Sequence, residues 1–192
     1  MQGAKPLADK SVAIMVASGF IEEHMTDVQK ALISAGAQTT IISPEIGVAN
    51  GWHDGGWGHN FFVDERISDV LPSQFDLLLI PGGERSTATL AGNAHVRRVL
   101  KGMMDANKPV ALTDDAVTLL IAAEVASGRK VSATEAVAEK MTEASATVED
   151  GPVTADGALV TMSADSANAF VAAIMTTLGV VSSDVSEEEA AA

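Results

Sequence analysis

Apolar positions along this chain alternate between two rhythms. Short unbroken apolar runs at residues 11–17, 39–42, 75–83 and 110–112 have strand length and end in turn residues, which fits strands buried on both faces of a parallel sheet. Between them, apolar residues recur every three or four positions. Met25, Val28, Leu32 and Ala35 predict a helix over 22–35 with Gly36 as its C-terminal cap, and Val96, Val99, Leu100 and Met103 predict another opening at Asn93. Further on, the pattern predicts a helix to about residue 125, a short strand at 130–133 and a solvated helix over 135–144. A hairpin follows at 153–162, turning around Asp156-Gly157. A last helix, with Asp165 as its cap, carries Phe170, Ile174 and Leu178 on one face and ends at Gly179. Such alternation predicts an α/β sandwich, a mostly parallel doubly wound sheet with helices on both faces and a small hairpin addition.

Two segments depart from the rhythm. Residues 47–64, GVANGWHDGGWGHNFFVD, hold both tryptophans and two of the four histidines. They read as an irregular hairpin or long loop over the sheet edge, with Phe61 and Val63 turned inward. Residues 108–121, KPVALTDDAVTLLI, read as a buried strand, a sharp turn and a helix start, the place where α/β proteins put a reacting or ligand-binding residue. The tip carries Thr113, Asp114 and Asp115. A carboxylate at a helix start is stabilised by free backbone N–H groups, so both aspartates have a simple reading as capping residues. Adjacent glycines Gly82 and Gly83, closing the run FDLLLIPGG, let backbone approach a ligand or a neighbouring turn. Arg85 follows directly and could hold a carboxylate; a surface ion pair is the simpler reading for it and for Arg129.

Composition narrows the chemistry. Twenty-six acids against twelve bases give a formal charge of −14, a field that repels phosphate backbones and anionic membranes. Neither a nucleic-acid partner nor a membrane is expected, and the chain is read as cytoplasmic. Residues 1–10 read as a polar leader, 11–179 as a single domain and 180–192 as a mobile acidic tail. Cysteine is absent, which excludes thiolate chemistry of every kind. His53, Asp54, His59 and Asp64 have suitable donor atoms for a metal, but their spacing fits no standard structural pattern, so neither metal nor cofactor is expected. Trp52 and Trp57 read as packing or oligomer contacts.

Taken together, SGFIEEHMTD, the ISPE around residue 44, the glycine-rich GW-H-D-G-F-VD stretch, FDLLLIPGG, KPVA, GRKVSA and DGALVTMSADS resemble the ThiJ/PfpI superfamily, specifically its PfpI-like stress-protein branch. The resemblance implies a flavodoxin-like, class I glutamine amidotransferase-like fold, a homodimer or larger homo-oligomer, and peptidase, glyoxalase, deglycase or stress-protein roles. It also implies a cysteine and a histidine at the elbow, and these positions fall on Asp114 and Asp115. The family's glutamate beside that cysteine falls on His24, or on Glu23 with a one-residue shift, and the glutamate after the glycines falls on Thr87. A contact between His24 and Asp114 is expected to replace the acid–thiol contact.

The expected function is therefore a stress-related binding or assembly protein that has lost cysteine-dependent chemistry, with a small-molecule ligand held at the elbow by Gly82, Gly83, Arg85 and Thr113. The alternative is a hydrolase, glyoxalase or deglycase-type enzyme using Asp114 with His24 or Glu23 on a small carbonyl or acyl substrate.

Overall fold

The computed structural model describes residues 5–180. The chain opens with β1 (Ser11–Met15), β2 (Phe20–Ile21), α1 (Glu22–Ser34) and β3 (Gln38–Ser43), then forms β4 (Val48–His53), β5 (Gly56–Phe62) and β6 (Glu65–Arg66). Next come β7 (Leu77–Ile80), α2 (Glu84–Ala91), α3 (Ala94–Asp105) and β8 (Val110–Thr113). A 3-10 turn, Asp114–Thr118, leads into α4 (Leu119–Ala122). The remainder is β9 (Lys130–Val131), α5 (Glu135–Glu143), β10 (Thr147–Val148), β11 (Val153–Asp156), β12 (Leu159–Met162) and α6 (Ala167–Thr177).

Seven strands form the main sheet in the order β11-β12-β8-β7-β1-β3-β6, every pair parallel except β11 with β12. Successive side chains on a strand point to opposite faces, and here both faces are apolar. Ala13, Met15, Leu78, Ile80, Val110 and Leu112 enter one core with helices α2 to α5. Val12, Ile14, Leu77, Leu79 and Ala111 enter the other with α1 and α6. This double burial is why the strands read as unbroken apolar runs and not as alternating ones.

Several expectations need correction. Residues 5–10 are not a detached leader: Leu7 is fully buried in the α1 core and its N–H donates to the Ala35 carbonyl (2.9 Å). Of the expected acidic tail only Val180 is described, and it packs against the α1 and α6 core; the rest lies outside the described residues. A helix begins directly after Gly83, where the sequence pattern gave none, because α2 has only Ser86, Thr87 and Leu90 buried and so carries a weak apolar stripe. Of the two readings for residues 47–64 the hairpin holds: β4 pairs antiparallel with β5, carries one bulge and joins β2 in a separate three-stranded sheet. Phe61 does turn inward, edge-on to Phe20. Asp165 does not cap α6: Ser166 holds that position without a side-chain bond. Asn93 does cap α3, its side-chain oxygen accepting from His95 N–H (2.8 Å).

Candidate functional site

The elbow sits where β8 ends, at the carboxyl edge of the central strands. Asp114 takes a left-handed backbone (φ +51), which only a few per cent of non-glycine residues adopt and which holds strain when it occurs. Neither aspartate caps the turn that follows. Thr113 stands at that start with no side-chain cap bond, which overturns the capping expectation.

Thr113 and Asp115 instead bind across to the glycine pair. The Gly82 N–H donates to Thr113 Oγ1 (2.9 Å), and the Gly83 N–H donates to Asp115 Oδ1 (2.7 Å). The two strand ends are so close that a Cβ on Gly82 would lie 2.6 Å from the Thr113 carbonyl oxygen and 2.7 Å from Asp114 Cβ. Glycine is required there by contact. At Gly83 it is required by conformation as well (φ +128). The β2 segment closes the third side, its Ile21 N–H donating to the Gly82 carbonyl (2.7 Å).

His24, on the first turn of α1, reaches the elbow, but its bond is to Thr113 and not to Asp114: Nδ1 lies 2.9 Å from Thr113 Oγ1. The expected direct pair with Asp114 is therefore replaced by a contact one residue earlier. Thr113 already accepts the Gly82 N–H, so its hydroxyl hydrogen is available to a neutral imidazole. Burial pushes the His24 pKa down, and the nearby Asp114 charge opposes that without cancelling it. Burial, reinforced by Asp115, pushes the Asp114 carboxyl up.

Glu23 turns elsewhere, pairing with His53 on the hairpin. Its neighbour Glu22, which the sequence pattern did not single out, is the buried acid. It accepts the His59 N–H (2.9 Å) and pairs with the His59 ring, and a Cβ on Gly51 would lie 2.5 Å from its Oε2. Burial favours the neutral form of Glu22, but the bonds from His59 outweigh it and hold its pKa below the usual value. The glycines of the hairpin were the signal for this acid: Gly51 and Gly58 leave the space it fills.

Arg85 does not serve the elbow. Its guanidinium lies 5.5 Å from the Trp52 ring centre and 5.6 Å from that of Trp57, which themselves meet edge-on. Arg129 reaches Asp156 at 4.0 Å, a surface pair. The four candidate metal donors are dispersed: His53 and His59 are taken by glutamates, and Asp64 accepts the Ile41 N–H (2.7 Å). Among the described residues no cluster of three or more such donors is placed to hold a metal.

Two cavities flank the elbow. Asp114, Asp115, Glu84, Thr87, Thr118 and Lys140 help line one of about 460 Å³. His24, Glu23, Asp27 and Asp165 help line another of about 330 Å³. The predicted set is thus divided, with the aspartates facing one space and the α1 residues the other.

A doubly wound, mostly parallel sheet with a left-handed residue at the strand-to-helix elbow, packed on a glycine pair, is a flavodoxin-like, class I glutamine amidotransferase-like fold. The chain belongs to the DJ-1/PfpI family, whose model matches residues 10–177. It is 33% identical over 144 residues to General stress protein 18 of Bacillus subtilis, covering 75% of this chain and 82% of that one. It is 30% identical over 146 residues to a deglycase of Thermococcus kodakarensis, covering 76% and 85%. Protein DJ-1 homolog D of Arabidopsis thaliana is 37% identical over 128 residues, and there the match spans 64% of this chain and only 33% of the plant protein. Among solved structures, a ThiJ/PfpI domain protein from Brachyspira murdochii superposes with a TM-score of 0.81 at 24% identity, covering 92% of this chain and 99% of that one. No helix among the described residues is long and apolar enough to cross a membrane.

Proposed function

We propose that this DJ-1/PfpI-family protein is a cytoplasmic, stress-related binding or assembly protein that keeps the elbow but not the thiol chemistry. The observation that carries this reading is the state of the elbow itself. Its strained position holds a carboxylate whose ionised form is disfavoured, and the two neighbouring backbone N–H groups that could stabilise an oxyanion are already taken by Thr113 and Asp115. With no cysteine anywhere in the chain, a nucleophile would have to be supplied by another residue. The cavities on either side leave room for a small ligand. A stress role rests on the likeness to General stress protein 18.

The test is incubation of the pure chain with methylglyoxal, small esters and small amides. No turnover above buffer is expected. Turnover abolished by Asp114→Asn would instead support the second reading, an enzyme in which Asp114 attacks and His24 activates water; the electrostatic link between those two groups is what favours it. Asp114→Cys with Asp115→His then asks whether the surroundings remain competent. Activity gained by that double variant would place the loss in the two side chains alone.

A further inference from the structure

Positive charge is scarce in this chain, with twelve bases against twenty-six acids, yet it gathers on one helix. Residues 94–104 hold Arg97, Arg98 and Lys101 and no acid. These three lie at spacings of three and four on the exposed side of α3, opposite the buried Val96, Val99, Leu100 and Met103. They border a cavity of about 310 Å³ whose other wall is Ala122, Ala123 and Glu124 at the end of α4. It shares no lining residue with the two cavities at the elbow.

A solvated helix face accounts for basic side chains that find surface acids, as Lys130 finds Glu149 (3.6 Å) and Arg129 finds Asp156 (4.0 Å). It does not account for these. Among the described residues Arg97 makes no ion pair and no side-chain hydrogen bond, although acids are in large excess. Arg98 is fixed in place: its Nη2 donates to the Ile67 carbonyl (3.0 Å) and the Val70 carbonyl (2.9 Å). Its Nε and Nη1 N–H groups have no such bond among the described residues. A guanidinium anchored in this way has given up much of its rotamer freedom before any ligand arrives. Lys101 meets Asp105 one turn on (3.6 Å), an exposed pair of the weak kind that a stronger anion displaces. The Asn93 side chain already takes the His95 and Val96 N–H groups, so the cations and not the helix end are open to a ligand.

We propose that the groove between α3 and α4 binds a small phosphomonoester. Such a group carries close to two negative charges at neutral pH and three acceptor oxygens, which suits three cations on one wall. Guanidinium forks match phosphate oxygens two at a time, and the ammonium of Lys101 adds a point charge. Charge also sets the size of the ligand. An extended polyanion, whether nucleic acid or anionic membrane, brings its further phosphates against the rest of a surface whose chain totals −14. A small ligand fits a cavity of this volume, and acids more than about 10 Å away are screened from it at 0.1 M salt. Ala122 and Ala123 supply an apolar wall for the body of the ligand, while Glu124 is the one acid in the lining and opposes binding. The groove is independent of the elbow reading: it uses none of the elbow residues and no catalysis.

Calorimetric titration of the full chain with ribose 5-phosphate, inorganic phosphate and ribose tests this. Both phosphates are expected to bind with submillimolar dissociation constants, and ribose is expected not to bind. Arg97→Gln and Lys101→Gln should each raise the dissociation constant by about 10-fold, the loss of one charge-assisted contact. Glu124→Gln should lower it by about 3-fold, since it removes the opposing charge. Lys130→Gln, which removes a positive charge outside the groove, should leave it unchanged. Circular dichroism confirms folding, and should one groove variant fail to fold, the other decides. A chain that binds neither phosphate at millimolar concentration overturns the proposal, even where it takes up a duplex DNA or an acidic peptide. So does binding that the folded groove variants leave unmoved, or that Lys130→Gln weakens equally.

Discussion

Thr113 is fully buried, and its one hydroxyl ties three elements together: the β8 end, the Gly82 turn after β7 and His24 on α1. Thr113→Val keeps the shape but strands the Gly82 N–H and the His24 ring. A loss of about 1–3 kcal/mol is expected, read as a lowered urea midpoint at unchanged slope. The link between His24 and Asp114 has a separate signature. Because the Asp114 charge raises a His24 pKa that burial has lowered, Asp114→Asn should move the His24 midpoint lower still in an NMR titration. An unmoved midpoint would show that the two do not interact. Glu22 governs a different pH range. Its folded pKa lies below its unfolded one, so its stabilisation is complete above about pH 4.3 and is lost as pH falls through the lower folded value. Glu22→Gln should therefore flatten the acid limb of the stability profile and change the limb above neutrality little.

At the scale of elements, the site depends on how closely two strand ends approach. The β7 and β8 ends touch through Gly82, where any side chain meets the Thr113 carbonyl and Asp114 Cβ. Gly82→Ala must force them apart, and a loss of about 1–3 kcal/mol is expected in denaturant unfolding, the range of other overpacking changes. A loss under ~0.5 kcal/mol would mean the elbow yields easily. The hairpin β4–β5 is held to the start of α1 by two glutamate–histidine pairs, Glu22 with His59 and Glu23 with His53. The sequence pattern marked these histidines as possible ligands because of their donor atoms. Their partners are adjacent in sequence on α1 but about thirty residues away from the hairpin, which no local pattern shows.

At the scale of the molecule, excess negative charge is spread over a sheet buried on both faces. Self-repulsion among exposed carboxylates opposes compactness and is screened within about 10 Å at 0.1 M salt. Raising sodium chloride from low to moderate concentration should raise the melting temperature, and a fall would mean that attractive surface pairs dominate. The parallel sheet, the helix capped by Asn93, the hairpin around Gly157 and the elbow after β8 were all legible from apolar periodicity and turn residues. The short helix α2, the two-residue strands β2, β6 and β10 and the burial of Leu7 were not. Each owes its form to neighbours distant in sequence and not to its own pattern.

The sequence by itself determined the double-sided strands, the family and the absence of a thiol, because apolar runs, motifs and composition are properties of the chain alone. Only the tertiary structure decided which acid is buried, which residue His24 meets, where Arg85 lies and how the aspartates and α1 residues divide between two cavities. Those outcomes depend on which side chains the fold brings within hydrogen-bonding distance, and residues from 19 to 115 meet at the elbow through space, not through sequence.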